Sequence, residues 1–216
     1  MASGHELSIN LIEVTGKKPG PTTYIQSSVH GAEIQGNVVI KKIIEWTKKN
    51  EINGKIIFVP NANPYALIQK SGLYTQGRYN PVTGNNFNRN YINLFGSLNR
   101  RDELEAFLNA TSDGENLREK FKTHIKSCIQ RLIQEKNLYG IGEDLYLCLT
   151  LQNLAASADI CLDLHTGPIA CEYLYSNSDQ KEDSTKYFPF EFIIDIPTEF
   201  AGAMDEAFFI NYVEAN

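Results

Sequence analysis

The pattern of apolar and polar positions in the first sixty residues predicts a strand, a helix and a second strand. Residues 22–29 (TTYIQSSV) are rich in β-branched and aromatic side chains, and residues 55–60 (KIIFVP) form a short apolar run typical of a strand buried on both faces. Between them, residues 33–49 carry apolar side chains at helical spacing, with lysines on the other face. This order predicts a βαβ unit with parallel strands and a right-handed crossover.

The rest of the pattern predicts further elements around this unit. Residues 61–100 show no sustained period and are rich in Asn, Gly, Pro and Tyr, which predicts a long loop of the kind that often carries function. The other predicted elements are an edge strand at 7–14, a turn at 17–21, helices within 101–157, and strands at 159–165, 171–176 and 190–196. We therefore predict an α/β fold with a mostly parallel mixed sheet flanked by helices, in which a ligand lies beyond the carboxyl ends of the strands.

Composition and charge narrow the classes of function. The 216 residues include 20 basic and 26 acidic side chains, a formal charge of −6, and no basic tract, so nucleic acid is not an expected partner. No apolar run is long enough to span a bilayer, and the N-terminus lacks the features of a signal peptide. We predict a cytoplasmic protein that does not bind membranes. Its four cysteines lie among apolar neighbours without a C-x-x-C pair, which favours buried free thiols over disulfides.

Two histidines that follow predicted buried strands indicate a metal site. His30 follows TTYIQSSV and His165 follows DICLDL, so both are expected at the carboxyl edge of the sheet. Glu33 comes three residues after His30 across a turn at Gly31, and two imidazoles with one carboxylate are the ligand set of a catalytic zinc site. Asp163 shares a strand face with His165 and is expected to accept the second N–H of its imidazole. Taken singly, such a histidine is more often a hydrogen-bonded polar residue than a ligand. Glu33 alone is more often a carboxylate at a helix N-terminus, where the helix dipole stabilises its charge.

The predicted long loop holds a second set of candidates in the segment GRYNPVTGNNFNRNY. Arg89 presents a planar fork suited to a carboxylate, and the amide of the adjacent Asn88 can add a donor. Arg78 could instead polarise a scissile carbonyl or stabilise an oxyanion. The alternative is an ordinary solvated polar loop, which explains isolated arginines well but explains less well two arginines on either side of a Gly/Asn-rich turn.

Taken together and in order, the segments SSVHGAEIQG, VPNANPYAL, GRYNPVTGNNFNRNY and DLHTG resemble a known family. The chain is similar to the zinc carboxypeptidase superfamily, and most similar to its succinylglutamate desuccinylase/aspartoacylase-like branch, over residues 22–210. The resemblance implies that Zn2+ is bound by His30, Glu33 and His165. It implies that Asn88 and Arg89 hold the terminal carboxylate of the substrate, and that Arg78 assists the carbonyl oxygen.

The sequence also departs from the pattern of that family. The family's general base is a glutamate on a strand well after the last zinc ligand, and no such strand follows His165 before residue 216. The late candidates are Glu199, Glu206 and Glu214, of which Glu206 is taken as the catalytic or supporting candidate. We expect a C-terminally truncated form of a longer enzyme, a single catalytic domain over 1–216 with a helical insertion at about 96–157.

These features predict a zinc-dependent hydrolase that cleaves an amide bond next to a carboxylate-bearing group, as in an N-acyl amino acid deacylase. Zinc would acidify a bound water, a glutamate would take its proton, and the expected partner is a small-molecule N-acyl amino acid or peptide. One alternative is a metallocarboxypeptidase that acts on C-terminal peptide bonds. Another is a truncated or inactive module that binds metal and carboxylates, and a third is a structural α/β domain whose histidines bind nothing.

Overall fold

The computed structural model describes residues 6–111, 116–167, 171–177, 186–197 and 199–215, which form a mixed α/β fold. The strands are β1 (Ile12–Thr15), β2 (Lys18–Ser27), β3 (Asn53–Val59), β4 (Lys70–Ser71), β5 (Tyr74–Thr75), β6 (Ile160–Leu164), β7 (Tyr173–Asn177) and β8 (Phe192–Ile196). The helices are α1 (Gln35–Thr47), α2 (Pro64–Leu67), α3 (Arg101–Ala110), α4 (Leu117–Asn137), α5 (Glu143–Ala155) and α6 (Met204–Glu214), with a 3₁₀ turn at Phe87–Arg89.

The central sheet has four strands in the order β1-β3-β2-β6. Strands β3, β2 and β6 are parallel, and β1 is an antiparallel edge strand. The predicted βαβ unit is therefore confirmed, with α1 as its crossover helix. Because β2 and β6 are parallel neighbours, their carboxyl ends meet at one edge of the sheet.

Helices cover both faces of the central sheet, as the apolar runs predict. On one face, Ile25 and Phe58 pack with Ile40 of α1. On the other face, Tyr24 and Ile57 belong to a core that includes residues of α5 and α6. Full burial of each such side chain contributes about 1.5–3 kcal/mol to the free energy of folding. A further apolar cluster joins α3, α4 and α5 and contains the apolar stripe of α4 at Phe121, Ile125, Cys128 and Leu132.

Several sequence-based predictions need correction. The edge strand is shorter than 7–14, since pairing with β3 covers only Ile12–Thr15. Residues 18–21 belong to β2 rather than to a turn, because a register shift between Lys18 and Thr22 accommodates the Pro-Gly-Pro segment. The loop 61–100 contains α2 and the β4–β5 hairpin. Strand β6 is a half-buried strand at the sheet edge, and β7 and β8 form a separate parallel pair.

All four cysteines are unpaired, as predicted. Cys128 and Cys148 are buried and Cys161 is partly buried, but Cys171 is exposed, so the predicted burial is wrong at that position. In the part of the chain that the structure describes, no helix combines the length and apolar character needed to cross a bilayer.

Candidate metal centre

Parallel pairing of β2 with β6 brings the two candidate histidines to one place. Ser27 at the end of β2 pairs with Leu164 at the end of β6. His165 directly follows Leu164, and His30 lies three residues beyond Ser27, so both imidazoles extend from the same sheet edge. Their ring centroids are 5.1 Å apart. His30 is buried and His165 is partly exposed.

Close backbone packing around small residues places Glu33 between the two histidines. The N–H of Glu33 donates to the carbonyl of His30 at 3.1 Å, which closes a tight turn just before α1. A Cβ atom on Gly36 would lie 2.7 Å from Cβ of Ser27 and 2.9 Å from Cβ of Leu164. The first turn of α1 therefore crosses directly over the ends of β2 and β6, which carries Glu33 to the gap between His30 and His165.

We call His30, Glu33 and His165 the inner cluster. One ligand-type atom of each lies within 4.8 Å of the other two. The two carboxylate oxygens face different rings: Oε1 of Glu33 is 2.9 Å from Nδ1 of His30, and Oε2 is 2.8 Å from Nδ1 of His165. The backbone N–H of Thr166 also donates to Oε2 at 3.1 Å. Both Nδ1 atoms thus point to the same carboxylate.

The outward nitrogen of each imidazole contacts an oxygen. Nε2 of His30 lies 2.8 Å from Oδ1 of Asn86, which also accepts the backbone N–H of Asn88 at 2.9 Å. That second bond identifies the Asn86 atom as the amide oxygen, so the hydrogen-bond network assigns a proton to Nε2 of His30. Nε2 of His165 lies 2.8 Å from Oδ2 of Asp163, a carboxylate acceptor. The outward nitrogens are donors, which leaves the Nδ1 atoms as the ligand-type atoms.

The carboxylates stabilise positive charge at this place. Burial alone would lower the pKa of His165, but the charges and hydrogen bonds of Asp163 and Glu33 outweigh it and raise that pKa to about 10. Burial alone would raise the pKa of Glu33, yet hydrogen bonds from His165, His30 and the Thr166 N–H hold it well below its usual range. Two imidazoles and a carboxylate that favours positive charge therefore fit a divalent cation, which His30, Glu33 and His165 would hold.

A series of buried hydrogen bonds holds Asp163 in place. Oδ1 of Asp163 accepts from Nε2 of Gln26 at 3.0 Å, and Oε1 of Gln26 accepts from the Tyr24 hydroxyl at 2.8 Å. Gln26 and Tyr24 are fully buried. Sequence reasoning did not identify Gln26 or Asn86 as functional, although a glutamine inside an otherwise buried strand is a signal, since a buried amide needs partners.

The long loop brings two of its three candidates to the inner cluster. Nη1 of Arg78 lies 3.1 Å from Oε1 of Glu33 and 3.3 Å from Nδ1 of His30, with half of its side chain exposed. Nδ2 of Asn88 lies 3.2 Å from Nε2 of His165, a contact between two donor nitrogens without a hydrogen bond, because Oδ1 of Asn88 accepts from the N–H of Met204 at 3.3 Å. Arg89 is exposed, and its guanidinium donates to the carbonyl of Asn88 at 2.6 Å.

Glu206 lies in the first turn of α6 and binds the backbone. Its Oε2 accepts the N–H groups of Ala201 at 2.8 Å and Ala203 at 3.0 Å, which satisfies donors near the helix N-terminus. The contacts found within the described ranges connect Glu206 to this turn and not to His30, Glu33 or His165. Its predicted catalytic role stays a prediction.

A second group of metal-ligating side chains lies away from the sheet edge. Glu103 of α3 and His124 and Cys128 of α4 also have ligand-type atoms within 4.8 Å of one another, and we call them the helical cluster. Sγ of Cys128 lies 3.3 Å from Oε1 of Glu103 and 3.6 Å from Nε2 of His124. Arg131 binds the same Glu103 oxygen. Burial lowers the pKa of His124 and raises that of the Cys128 thiol to about 11.

Comparison with known proteins gives the chain a family context. The family model described as "Succinylglutamate desuccinylase/Aspartoacylase catalytic domain" matches residues 19–125. No curated protein matches the sequence.

Two solved structures match over the whole chain, and a third matches over most of it. A succinylglutamate desuccinylase/aspartoacylase from Shewanella frigidimarina is similar with a TM-score of 0.89 and 33% identity over 100% of this chain and 56% of its own. A family protein from Shewanella amazonensis has a TM-score of 0.85 and 36% identity over 100% of this chain and 57% of its own. The chain thus spans a little over half the length of these two structures. An aspartoacylase family protein from Mesorhizobium loti shares the fold, with a TM-score of 0.54 and 21% identity over 87% of this chain and 47% of its own.

Proposed function

The chain belongs to the succinylglutamate desuccinylase/aspartoacylase family, and we propose that it hydrolyses the amide bond of an N-acyl amino acid with the help of a bound zinc ion. The observation that carries this proposal is the inner cluster. Two imidazole Nδ1 atoms and one carboxylate converge there, and acceptors hold both outward nitrogens. Zinc bound by two histidines and one carboxylate supplies an acidified water, with a pKa of about 7, and a Lewis acid for the substrate carbonyl.

In this proposal, hydrogen bonds from neighbouring residues fix the orientation of the three side chains that would bind zinc. Asn86 and Asp163 fix the ring orientation of His30 and His165 by accepting their Nε2–H groups. Thr166 donates its backbone N–H to Oε2 of Glu33, which restricts the carboxylate to one orientation. Asp163 and Thr166 lie at the end of β6, and Asn86 precedes the 3₁₀ turn of the long loop, so the three ligand-type side chains would be positioned before any ligand arrives.

Two arginines and one asparagine would handle the substrate. The Arg78 guanidinium reaches the inner cluster from the solvent side, where it can donate to a carbonyl oxygen as negative charge develops on it. Asn88 and Arg89 are adjacent on the 3₁₀ turn beside His165 and would donate to a substrate carboxylate, which fixes the amide bond near the cluster. A carboxylate-bearing N-acyl amino acid suits this pattern of donors.

A second candidate function is favoured by the environment of Glu206. Its carboxylate already accepts two backbone N–H groups, so a protein that uses no other base would bind metal and carboxylates without turnover. A metallocarboxypeptidase remains the alternative enzyme, since a C-terminal peptide bond also lies next to a carboxylate.

A substrate panel with a metal assay tests the proposal. Chelator-treated protein is reloaded with zinc and offered an N-succinyl amino acid, an N-acetyl amino acid and a dipeptide, while bound zinc is measured. We expect one zinc per chain and hydrolysis of an N-acyl substrate that chelation abolishes and zinc restores. Cleavage of the dipeptide alone would favour the carboxypeptidase. Zinc and substrate binding without turnover would favour the binding module, and absence of zinc binding would contradict all three.

A further inference from the structure

Residues 80–90, which we call the asparagine loop, contact the inner cluster on one side and helix α5 on the other. On the cluster side, Asn86 contacts His30 and Asn88 contacts His165. On the helix side, the Phe87 carbonyl accepts from Sγ of Cys148 at 3.2 Å. The loop therefore connects α5 with the candidate metal centre.

One carboxylate makes most of the polar contacts on the helix side. Oδ2 of Asp144 accepts from the Thr83 hydroxyl at 2.8 Å, from Nδ2 of Asn85 at 2.9 Å and from Nδ2 of Asn90 at 3.1 Å. These three donors lie on either side of residues 86–89, the segment that carries Asn86 and Asn88. Oδ1 of Asp144 accepts the backbone N–H of Leu145 at 2.9 Å. A single charged oxygen thus binds the loop both before and after residues 86–89.

The burial of Asp144 makes its hydrogen bonds to the loop necessary. Asp144 is only 3% exposed, and a buried carboxylate is costly unless donors satisfy it. Burial alone would raise its pKa, but the hydrogen bonds from Asn85, Thr83 and Leu145 outweigh that effect and lower the pKa. Glu143, the neighbouring acidic residue in the first turn of α5, is exposed. The helix dipole acts on both carboxylates, so it does not account for the contacts that Asp144 makes with the loop.

The loop also has internal order that can transmit this constraint. The N–H of Asn80 donates to the Asn85 carbonyl at 2.8 Å, and that of Gly84 donates to the Asn80 carbonyl at 2.8 Å. Further along, the N–H of Phe87 donates to the Arg78 carbonyl at 3.1 Å. Fixing Thr83 and Asn85 therefore fixes the turn that continues to Asn86.

We propose that Asp144 is a positioning residue that sets the placement of Asn86 and Asn88 against the two histidines of the inner cluster. It touches neither histidine and acts through the asparagine loop. The consequence for substrate turnover rests on the proposed function, whereas the consequence for the histidines does not.

The test compares Asp144→Asn with the matched control Glu143→Gln. Both changes remove one negative charge from the first turn of α5, but only the first replaces the acceptor that Thr83, Asn85 and Asn90 share. In Asp144→Asn we expect amide hydrogen exchange within residues 80–89 to quicken about tenfold or more, since hydrogen bonds to a charged acceptor are lost, while exchange in β3 stays the same.

Histidine NMR supplies a readout that a purely structural role of Asp144 would not move. In Asp144→Asn the Nε2–H resonance of His30 should shift and exchange faster with water, because Asn86 is no longer held against it. In Glu143→Gln it should stay at its wild-type position. For an active enzyme, Asp144→Asn should also raise KM more than it lowers kcat, because Asn88 and Arg89 move with the loop.

A second variant covers the case in which Asp144→Asn does not fold. Thr83→Ala combined with Asn85→Ala removes two exposed donors, keeps Asp144, and should give the same His30 shift in smaller measure. The proposal is overturned if the folded variants leave the His30 resonance and the loop exchange at wild-type values. An inactive wild-type protein would contradict the proposed function and leave this test intact.

Discussion

The inner cluster and the helical cluster contain similar side chains at similar distances, yet their surroundings differ. Each has a carboxylate, at least one histidine and an arginine bound to the carboxylate. In the inner cluster, two imidazoles extend from strand ends, and acceptors hold their outward nitrogens. In the helical cluster, a single imidazole stacks on Phe107 with ring centroids 4.3 Å apart, and the third candidate ligand is a thiol whose pKa burial raises to about 11.

The difference teaches that ligand-type atoms near one another do not by themselves form a metal site. A metal site needs ligand lone pairs that point to one place and hydrogen-bond partners that hold the ligands there. It also needs negative charge that stabilises a cation. In the inner cluster, Asn86 and Asp163 hold the two imidazoles, and the carboxylate of Glu33 faces both Nδ1 atoms, as the proposed zinc site requires. The helical cluster instead holds a protonated thiol between Glu103 and Arg131, which packs α3 against α4.

The largest expected effect comes from His165→Ala. This variant should lose zinc by more than about 100-fold in affinity, because a ligand is removed rather than a supporting partner. Its stability in the presence of a chelator should fall by no more than about 1–2 kcal/mol, since His165 lies at a strand end outside the apolar core. Bound zinc and chemical unfolding measure the two quantities. A loss of several kcal/mol with zinc retained would mark His165 as structural.

A smaller effect is expected for Asp163→Asn. The substitution keeps the size of the side chain but removes the carboxylate that accepts the Nε2–H of His165, and such partners contribute about 10- to 100-fold to metal affinity. Competition with a chelator of known affinity measures the change. Asp195→Asn, which removes a carboxylate from β8, is the control and should leave the affinity unchanged. Equal affinity in wild type and Asp163→Asn would contradict the role given to Asp163.

Arg89→Ala should act on the substrate and not on the metal. The guanidinium is exposed and bonds only to the neighbouring Asn88 carbonyl among the contacts in the described ranges, so zinc content and stability should stay near wild type. Loss of a bidentate partner for the substrate carboxylate should weaken substrate binding by about tenfold or more. Titration with an N-acyl amino acid measures this. Unchanged affinity would remove Arg89 from the proposed site.

No effect on zinc is expected from His124→Ala or Cys128→Ser. Both side chains belong to the helical cluster, where burial keeps the thiol protonated and Arg131 binds the carboxylate. Stability should fall in both variants because the side chains pack between α3 and α4. Zinc stoichiometry is the decisive readout. A drop in bound zinc in either variant would erase the distinction between the two clusters.

Sequence patterns predicted the central elements because their signals are local. The apolar run at Ile57–Val59 and the helical spacing around Ile40 identify β3 and α1 directly. The meeting of His30 with His165 followed from one topological rule, that parallel strands end at the same edge.

The contacts of Asp144 and Asn86 were not predicted because they join residues that are far apart in the sequence. Asp144 reaches Asn85 across 59 positions, and Asn86 reaches His30 across 56, with no local pattern to indicate either pairing. The β4–β5 hairpin has only two residues in each strand, too short for an alternation to be visible. The catalytic role of Glu206 and the helical insertion at 96–157 stay predictions.

Zinc K-edge X-ray absorption of the zinc-loaded protein tests the central claim most directly, because the two clusters differ in ligand type. The account predicts only nitrogen and oxygen ligands at about 2.0–2.2 Å, with the outer-sphere scattering of two imidazoles. A sulfur ligand at about 2.3 Å would place the metal at Cys128 in the helical cluster and would contradict the account.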